Sequence, residues 1–364
     1  MSLEPGEPIG GRLAGSIRRV QTETGHDLPV SDSPRSDSIV TADVGSDVPR
    51  SSPADRRRVG PFLADRQAFV IESTDTELLA TIDDCLCDLR HPDGSAETDP
   101  IVLLIERNGP SWLTHPWALY RDGEPCETTV TGDYIVPYVL WEVTRLVLES
   151  AVAPTIPIHA AALARNGKAV VLCGPSHAGK STLAAWLTHR GWGVLTDEVG
   201  LLDISEPTTT TVRPFWRPVG VRRGGPIDAV VDVPGDEAEV LVPATRLGGL
   251  GEPAPLVALV CPAYADGADG ELTPLSPAEA LTNVAEQLPS LARDGSTVFH
   301  ALAEIVTRVP SFALSVDDLD SAAATLADLV DGLDTGGLDT GGLDADGLET
   351  GGLDTDGPEQ EATA

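Results

Sequence analysis

The segment from Gly174 to Thr182, Gly-Pro-Ser-His-Ala-Gly-Lys-Ser-Thr, constrains the fold of this chain more than any other feature. It fits the pattern G-x-x-x-x-G-K-[ST], and it follows a predicted strand, Ala169–Cys173, and opens a predicted helix from Ser181 to His189. In such a strand–loop–helix unit, glycines let consecutive backbone N–H groups face phosphate oxygens at a helix N-terminus. The sequence therefore predicts a phosphate-binding loop in an α/β domain, lined by Gly174, Pro175, Ser176, His177, Ala178, Gly179, Lys180, Ser181 and Thr182.

Two residues of this loop have predicted chemical roles. The ammonium of Lys180 is a compact charge for the β- and γ-phosphates, and the Ser181 hydroxyl is placed to ligate Mg²⁺. Of the 24 lysines and arginines in the chain, only Lys168 and Lys180 are lysines. A chain that rarely uses lysine keeps one where arginine replaces an ammonium poorly. ATP and Mg²⁺ are therefore the expected ligands.

The net charge of −33 restricts the partners of the chain. It argues against nucleic acid and anionic membranes, and it is typical of a halophilic source, where high salt screens the repulsion between acidic groups. The segment from Asp331 onward holds ten acids, which is less than a third of that charge. No apolar run approaches the ~18–20 residues that span a bilayer, so we expect a soluble cytoplasmic protein.

The five cysteines do not indicate a metal or disulfide framework. Cys85-Leu-Cys87, with His91 nearby, is a weak metal-binding pattern because it offers too few ligands at the usual spacing. Structural or incidental thiols are the favoured interpretation.

Composition divides the chain into four segments. Residues 1–60 are rich in Ser, Pro, Asp and Arg without apolar periodicity, which predicts disorder. Residues 61–150 predict a small α+β lobe, and residues 151–330 predict an α/β domain that holds the loop. Residues 331–364 form an acidic Gly-Leu-Asp repeat and are predicted to be a solvated, disordered tail.

Two adjacent acids, Asp197 and Glu198, follow Lys180 after only 17 residues. The chain between them is one short helix and a strand, so the acids are expected at a strand end that faces the loop. One carboxylate can accept the proton of an attacking hydroxyl while the other orders Mg²⁺ or its waters. An ordinary acidic turn is the competing interpretation.

His159 opens the strand before the loop, 21 residues upstream of Lys180, and such a histidine is by itself more often a core residue. Together, His159, the loop and the acid pair have the order and intervals of the HPr kinase/phosphorylase catalytic domain, which the chain resembles over roughly residues 110–330. The segments Arg213-Pro-Phe-Trp-Arg-Pro218 and Val309-Pro-Ser-Phe-Ala-Leu314 are similar to those of the HPr kinase-related subfamily. The resemblance implies a P-loop kinase fold of the HPr kinase/phosphoenolpyruvate carboxykinase-like type.

The resemblance also implies roles for individual residues. Asp197 is then the general base toward a serine-type hydroxyl, Ser181 and Glu198 bind Mg²⁺, and His159 is a catalytic-site neighbour of the reacting phosphate. Four arginines, Arg213, Arg217, Arg222 and Arg223, are candidates to neutralise phosphoryl charge, with a solvated basic turn as the alternative. The expected partners are ATP and an unidentified hydroxyl acceptor on a protein, a peptide or a small molecule. A homo-oligomer is compatible with the resemblance.

Departures from the family pattern leave alternatives open. His177 stands where the family has a glycine, Thr182 where it has Glu, and Glu198 where it has Asp; the signature Ala-Arg-Gly-Leu-Gly-Ile is missing. These differences weaken HPr as the substrate. The competing functions are a carboxykinase-like enzyme or simple NTPase, and a nucleotide-dependent regulatory or scaffolding protein without useful turnover. The carboxykinase is disfavoured because its metal-ligating His/Lys set is not recognisable.

Overall fold

The computed structural model describes residues 51–90, 99–107, 117–130, 134–231, 239–288 and 295–333. Within them the chain is a mixed α/β protein with two large sheets, one small sheet and seven α-helices. Most of the predicted N-terminal segment (residues 1–50) and nearly all of the acidic repeat (residues 334–364) lie outside the described residues. Among the described helices, none is both long and apolar enough to cross a bilayer.

The first sheet forms the N-terminal lobe and has five strands in sequential order. Its strands are β1 (Arg57–Ala64), β2 (Gln67–Ser73), β3 (Ile101–Arg107), β4 (Trp117–Arg121) and β5 (Glu124–Val130). All neighbours are antiparallel except β2 and β3, which are parallel and are connected through helix α1 (Thr76–Cys85). Helix α1 begins at Asp75 because its carboxylate accepts the N–H groups of Glu77 and Leu78. Helix α2 (Ile135–Ser150) buries its apolar face in the core of this lobe.

The ordered lobe begins earlier than the sequence predicts. Ser51 donates hydrogen bonds from its backbone N–H and its hydroxyl to Oε1 of Glu106, each at 2.7 Å, and β1 begins at Arg57. The predicted boundary of the disordered segment at residue 60 is therefore too late. The composition of this stretch is polar, but one buried carboxylate, 55 residues away in sequence, organises its polar groups.

The second sheet has eight strands and carries the predicted phosphate loop. Its strands are β6 (Thr155–Arg165), β7 (Lys168–Cys173), β8 (Gly193–Thr196), β9 (Val199–Glu206), β10 (Thr209–Arg213), β13 (Ala254–Tyr264), β14 (Asp269–Pro274) and β15 (Ser311–Val316). The order is β10-β9-β6-β7-β13-β15-β14, and β8 pairs with β6. The central strands β7, β13 and β15 are parallel, whereas β6 is antiparallel to β7. Strands β11 (Val219–Arg222) and β12 (Glu239–Val242) pair separately.

Helices cover both faces of the central parallel strands, which explains their nearly continuous apolar sequences. On one face, helix α3 (Lys180–His189) and helix α7 (Leu319–Gly332) pack with α4 (Ala244–Leu247) and the β11–β12 pair. On the other face lie α5 (Pro277–Ala285) and α6 (Gly295–Arg308). Helix α5 starts with a capping box in which Ser276 and Glu279 satisfy each other's backbone N–H groups.

The lobe and the loop-bearing domain share a core rather than packing as separate units. Val199, Leu201 and Phe215 of the second domain belong to the same buried cluster as the lobe residues. Polar contacts reinforce this interface, since the Asp88 carboxylate accepts hydrogen bonds from the N–H and hydroxyl of Thr245. The lobe is thereby fixed against β9, against the segment that follows β10 and against helix α4.

Candidate active site

The predicted phosphate loop lies between β7 and α3, and three of its residues have positive φ angles. Gly174 has a φ of +146°, His177 a φ of +66° and Gly179 a φ of +91°. Pro175, Ser176, His177 and Gly179 are exposed, and Ala178 is partly exposed. The N–H of Ala178 donates to the carbonyl of Pro175 at 3.2 Å, which closes a turn before the helix. The loop is therefore an accessible, tightly turned segment at a helix N-terminus.

His177 occupies a backbone conformation that favours glycine. A φ of +66° lies in the left-handed region, where a Cβ meets the neighbouring carbonyl. This explains physically why a glycine at this position suits a loop of this shape. The imidazole is exposed, and the strain at this position comes from the Cβ that any residue other than glycine carries.

Lys180 is buried at the first position of α3, in the centre of the turn. Its Nζ donates to the carbonyl oxygens of Gly174 at 2.8 Å and Pro175 at 3.1 Å. The loop thus wraps around the ammonium group. Ser181 and Thr182 follow in the first turn of α3 and are partly exposed.

Strand β6 brings the loop and the acid pair to the same end of the sheet. Ala160 pairs with Cys173, the residue before the loop, and His159 pairs with Val199, the residue after the acid pair. The loop and the acids therefore flank one strand, and two interstrand spacings separate their backbones by roughly 10 Å. Side chains of ordinary length extend across that gap.

A break between two strands positions the acid pair. β8 pairs with the second half of β6 and β9 with its first half, and Asp197 and Glu198 lie between them. The Thr196 hydroxyl accepts the N–H groups of Glu198 and Val199, each at 3.2 Å, which fixes the turn. Both acids are buried, with exposed fractions of 4% and 3%. An ordinary solvated acidic turn, the competing interpretation, does not fit this burial.

Arg217 holds both acids at once. Its Nη1 lies 3.1 Å from Oε2 of Glu198, and its Nε lies 3.8 Å from Oδ1 of Asp197. Asp197 also accepts the N–H of Gly220 at 3.3 Å. The guanidinium is itself buried, so it neutralises the carboxylates in a region that water hardly reaches.

His159 completes the cluster on the side of β6. Its Nδ1 lies 3.4 Å from Oε1 of Glu198 and 3.2 Å from the carbonyl oxygen of the same residue. Its Nε2 is buried and has no hydrogen-bond partner among the described residues. The contact with Glu198 shows that this histidine belongs to the polar site and not to the apolar core alone.

The electrostatics of the cluster favour an ionised Glu198. Burial by itself raises the pKa of this carboxyl, but Arg217 and then His159 and Lys180 lower the pKa below its ordinary value. The influence of Lys180 on the pKa of Glu198 means that the loop ammonium and the acid lie within electrostatic range of each other. The ammonium of Lys180 and the carboxylate of Glu198 therefore interact electrostatically.

The side chains at this site fit a magnesium–nucleotide complex. Carboxylate and hydroxyl oxygens are the hard ligands that Mg²⁺ prefers, and Mg²⁺ usually takes only one or two carboxylates together with substrate phosphates. Glu198 and Ser181 supply that set, with Asp197 beside them. In the described part of the chain no group of three or more His, Cys, Asp or Glu residues forms a complete metal cage.

The four arginines that the sequence offered as equal candidates make different contacts in the structure. Arg217 binds the acid pair, as described above. Arg213 points elsewhere: it is ion-paired with Asp65 of the lobe, and its Nη1 donates to the hydroxyl of Thr155 at 3.0 Å. The hypothesis that Arg213 neutralises phosphoryl charge is wrong because its side chain is committed to the interface with the lobe.

The remaining two arginines lie at the end of β11. Arg222 is exposed, and Arg223 forms an ion pair with Asp228 at 2.7 Å. Sequence reasoning could not select Arg217 among the four, and it missed the supporting groups Thr196 and Gly220. The only local signal is the hydroxyl immediately before the acid pair, which is a common way to fix a tight turn.

Comparisons with known proteins add little to this geometry. A scan against protein-family models finds no match, and a search of curated proteins finds none either. Among solved structures, the chain is similar to the HPr(Ser) kinase/phosphatase from Coxiella burnetii, with 14% sequence identity and a TM-score of 0.28. The match covers 48% of this chain and 97% of that chain. A likeness at this TM-score carries no argument, so the functional case depends on the site itself.

Proposed function

We propose that this protein is an ATP- and Mg²⁺-dependent phosphotransferase that moves the γ-phosphate of ATP to a hydroxyl group. One observation carries the proposal: a buried pair of carboxylates lies across one strand from an exposed, glycine-bounded loop with a buried lysine. Phosphoryl transfer needs groups that position phosphates, neutralise their charge and accept a proton. The loop, Lys180 and the acid pair are the groups of this cluster that would supply these functions.

The loop would bind the nucleotide. Its exposed backbone and the N-terminus of α3 would contact the phosphates, and Lys180 would exchange its bonds to the Gly174 and Pro175 carbonyls for phosphate oxygens. Ser181 and Glu198 would hold Mg²⁺, which supplies neutralisation of phosphate charge when bound. Arg217 would then balance whichever carboxylate is left without the metal.

The acid pair would divide the chemistry. The oxygen of the acceptor hydroxyl attacks the γ-phosphorus, the bond from that phosphorus to the bridging oxygen breaks, and the hydroxyl proton passes to Asp197. His159, whose Nε2 finds no partner among the residues that the structure describes, would orient Glu198 through its Nδ1 contact. The products are ADP and a phosphate ester of the acceptor.

The burial of Asp197 supports a second candidate, a simple NTPase. This side chain is only 4% exposed, so a water molecule reaches it more easily than a serine on a protein surface. A small-molecule hydroxyl is intermediate between the two. A protein acceptor requires that the segment around Arg217 and Gly220 open when the acceptor binds.

The test is a transfer assay with γ-labelled ATP and Mg²⁺ in molar KCl, a medium chosen because the strong net charge of −33 predicts a high-salt environment. Host extract is divided into protein and small-molecule fractions, and Asp197→Asn is run beside the wild type. We expect label on a discrete acceptor with the wild type, and a loss of at least about 100-fold in transfer for Asp197→Asn with its nucleotide affinity retained.

Asp203→Asn is the matched control, because Asp203 lies on β9 six residues further on and faces Arg213 instead of the loop. Its transfer rate should equal that of the wild type. Free phosphate without a labelled acceptor would indicate the NTPase. If ATP binds but is neither hydrolysed nor used for transfer, the protein is not a phosphotransferase, and a nucleotide-dependent binding protein is the remaining interpretation.

A further inference from the structure

Two thiols lie side by side at the base of the phosphate loop. Cys173 is the last residue of β7, and Cys261 lies on the neighbouring parallel strand β13. Leu172 pairs with Val260, so the residues that follow them are neighbours, and the two sulfur atoms are 3.3 Å apart. The other three cysteines, Cys85, Cys87 and Cys126, belong to the lobe.

The geometry suits a bond between these two sulfurs. A disulfide needs a sulfur–sulfur distance of about 2.05 Å and Cα atoms about 4.4–6.8 Å apart. Neighbouring strands are separated by about 4.7–4.9 Å, which falls inside that range. Only the side chains have to approach further, and the backbone pairing of β7 with β13 can stay as it is.

The two thiols differ in exposure and acidity. Cys173 is fully buried, and a hydrogen bond with Cys261 together with burial raises its pKa. Cys261 is partly exposed, and hydrogen bonds, first from Cys173 and then from Asn283 on α5, lower its pKa against the opposing effect of burial. Cys261 is therefore the thiol that an oxidant reaches and the one with more thiolate character.

We propose that Cys173 and Cys261 form a reversible oxidation site that a hydroperoxide converts into a disulfide. The Cys261 thiolate attacks one oxygen of hydrogen peroxide, the O–O bond breaks, and hydroxide leaves as water once protonated. The Cys173 sulfur then attacks the resulting Cys261 sulfenic acid, the S–O bond breaks, and the second water leaves with the Cys173 proton. The two thiols lose two electrons and the peroxide gains two.

The disulfide would act on the loop because both cysteines adjoin it. Gly174 follows Cys173, and its carbonyl accepts a hydrogen bond from Lys180. A Cβ on Gly174 would lie 3.8 Å from the carbonyl oxygen of Pro262, the residue after Cys261. Leu172 and Val260 are the last paired residues of the two strands, so drawing the sulfurs together can leave the strand pairing in place and still shift Gly174, whose carbonyl holds Lys180. This consequence rests on the proposed nucleotide-binding function. The disulfide form should bind MgATP at least about fivefold more weakly than the dithiol form.

The test treats the reduced full-length protein with stoichiometric hydrogen peroxide, blocks remaining thiols by alkylation and maps cross-links by mass spectrometry without reduction. Trypsin cleaves after Lys168 and Lys180, so Cys173 is the only cysteine in peptide 169–180, and Cys261 is the only one in peptide 247–293. We expect these peptides to be joined, free thiols to fall from five to three, and dithiothreitol to reverse both changes.

Controls make the assignment specific. Cys87 is more exposed than its neighbour Cys85 in the lobe, so Cys87→Ser tests whether exposure alone decides which thiols react. This variant should keep the cross-link between Cys173 and Cys261, whereas Cys261→Ser should abolish it. In urea the fold no longer holds the two thiols together, so oxidation should not favour the disulfide between Cys173 and Cys261 over other pairs. Sulfinic acid on Cys261 without a disulfide, or equal cross-linking to Cys87, would overturn the proposal even if Cys261→Ser does not fold.

Nucleotide affinity is measured separately on the purified disulfide and dithiol forms. Equal affinities in both forms would overturn control of the loop by the disulfide. If the dithiol form binds no nucleotide, the proposed function fails while the oxidation site stands on the cross-link map.

Discussion

Buried carboxylates occur in both halves of the molecule, and they are neutralised in different ways. In the lobe, Glu106 accepts bonds from Ser51 and Arg56, and Glu142 pairs with Arg145 at 2.9 Å. The side chains of Arg56 and Arg145 are 15% and 34% exposed. Beside the loop, two adjacent carboxylates share Arg217, which is only 8% exposed.

The difference teaches how to separate structural from functional charge in this chain. A single buried carboxylate that pairs with a partly exposed arginine is a common structural arrangement, because the arginine stays hydrated and the desolvation cost is small. Two adjacent carboxylates that share one buried guanidinium are costly to desolvate, and a chain gains little stability from keeping them. On the proposed function, their position across one strand from the predicted phosphate loop gives a reason for that cost.

The largest expected effect comes from Arg217→Met. This change leaves Asp197 and Glu198 buried without the guanidinium, and removing one partner of a buried charge cluster typically costs roughly 3–5 kcal/mol of unfolding free energy. Urea unfolding at pH 7 measures it. Arg145→Met in the lobe is the matched control and should cost less, because its guanidinium is partly exposed. Equal losses would remove the distinction between the two regions.

The same variant should change the pH dependence of stability. In the wild type the pKa of Glu198 lies below its ordinary value of 4.5, because Arg217, His159 and Lys180 outweigh burial. A lowered folded-state pKa contributes stability above the unfolded pKa, and that contribution is lost as the pH falls through the folded pKa. Without Arg217, burial should raise the pKa of Glu198, so the stability deficit of Arg217→Met should shrink between pH 7 and pH 5. A deficit that stays constant over this range contradicts the account.

A smaller effect is expected for Glu106→Gln in the lobe. The amide cannot accept charge-assisted bonds from Ser51 and Arg56 equally well, so the unfolding free energy should fall by about 1–3 kcal/mol. Phosphate transfer per folded molecule should stay at the wild-type level. A specific loss of transfer would show that the lobe carboxylates are not merely structural.

The smallest effect is expected for His177→Gly in the loop. Its φ of +66° costs about 1–2 kcal/mol for a residue with a Cβ, and the added flexibility of glycine in the unfolded chain offsets about half of the gain. Thermal or urea unfolding should show stabilisation of about 0.5–1 kcal/mol. His177→Ala keeps the Cβ and should show no such gain, so stabilisation by both variants would point to the imidazole instead of the backbone.

Local sequence carried the prediction of the loop, its strand and its helix. The pattern from Gly174 to Thr182 and the apolar runs around it lie within one continuous stretch, so backbone geometry follows from nearby residues. For these parts, sequence position and spatial position are closely linked. His159 is different, because it contacts Glu198 39 residues further along the chain, and only its spacing in the resemblance to the kinase family singled it out.

The rest depended on contacts that no local pattern encodes. Arg217 and Arg213 are four residues apart, yet one side chain turns to the acid pair and the other to Asp65 of the lobe. Ser51 is ordered by a carboxylate far along the chain, and Cys173 meets a cysteine 88 residues away. These long-range contacts are determined by how the two large sheets and the lobe pack together.

The central claim is that the loop and the acid pair act as one site, and a double-mutant cycle on MgATP affinity tests it most directly. Isothermal titration in molar KCl would compare wild type, Lys180→Ala, Glu198→Gln and the double variant. If the two residues bind one magnesium–nucleotide complex, their effects should be non-additive, with a coupling energy of about 0.5–3 kcal/mol that disappears when Mg²⁺ is replaced by a chelator. Additive effects in the presence of Mg²⁺ would contradict the claim and leave an isolated anion-binding loop beside an unrelated buried ion cluster.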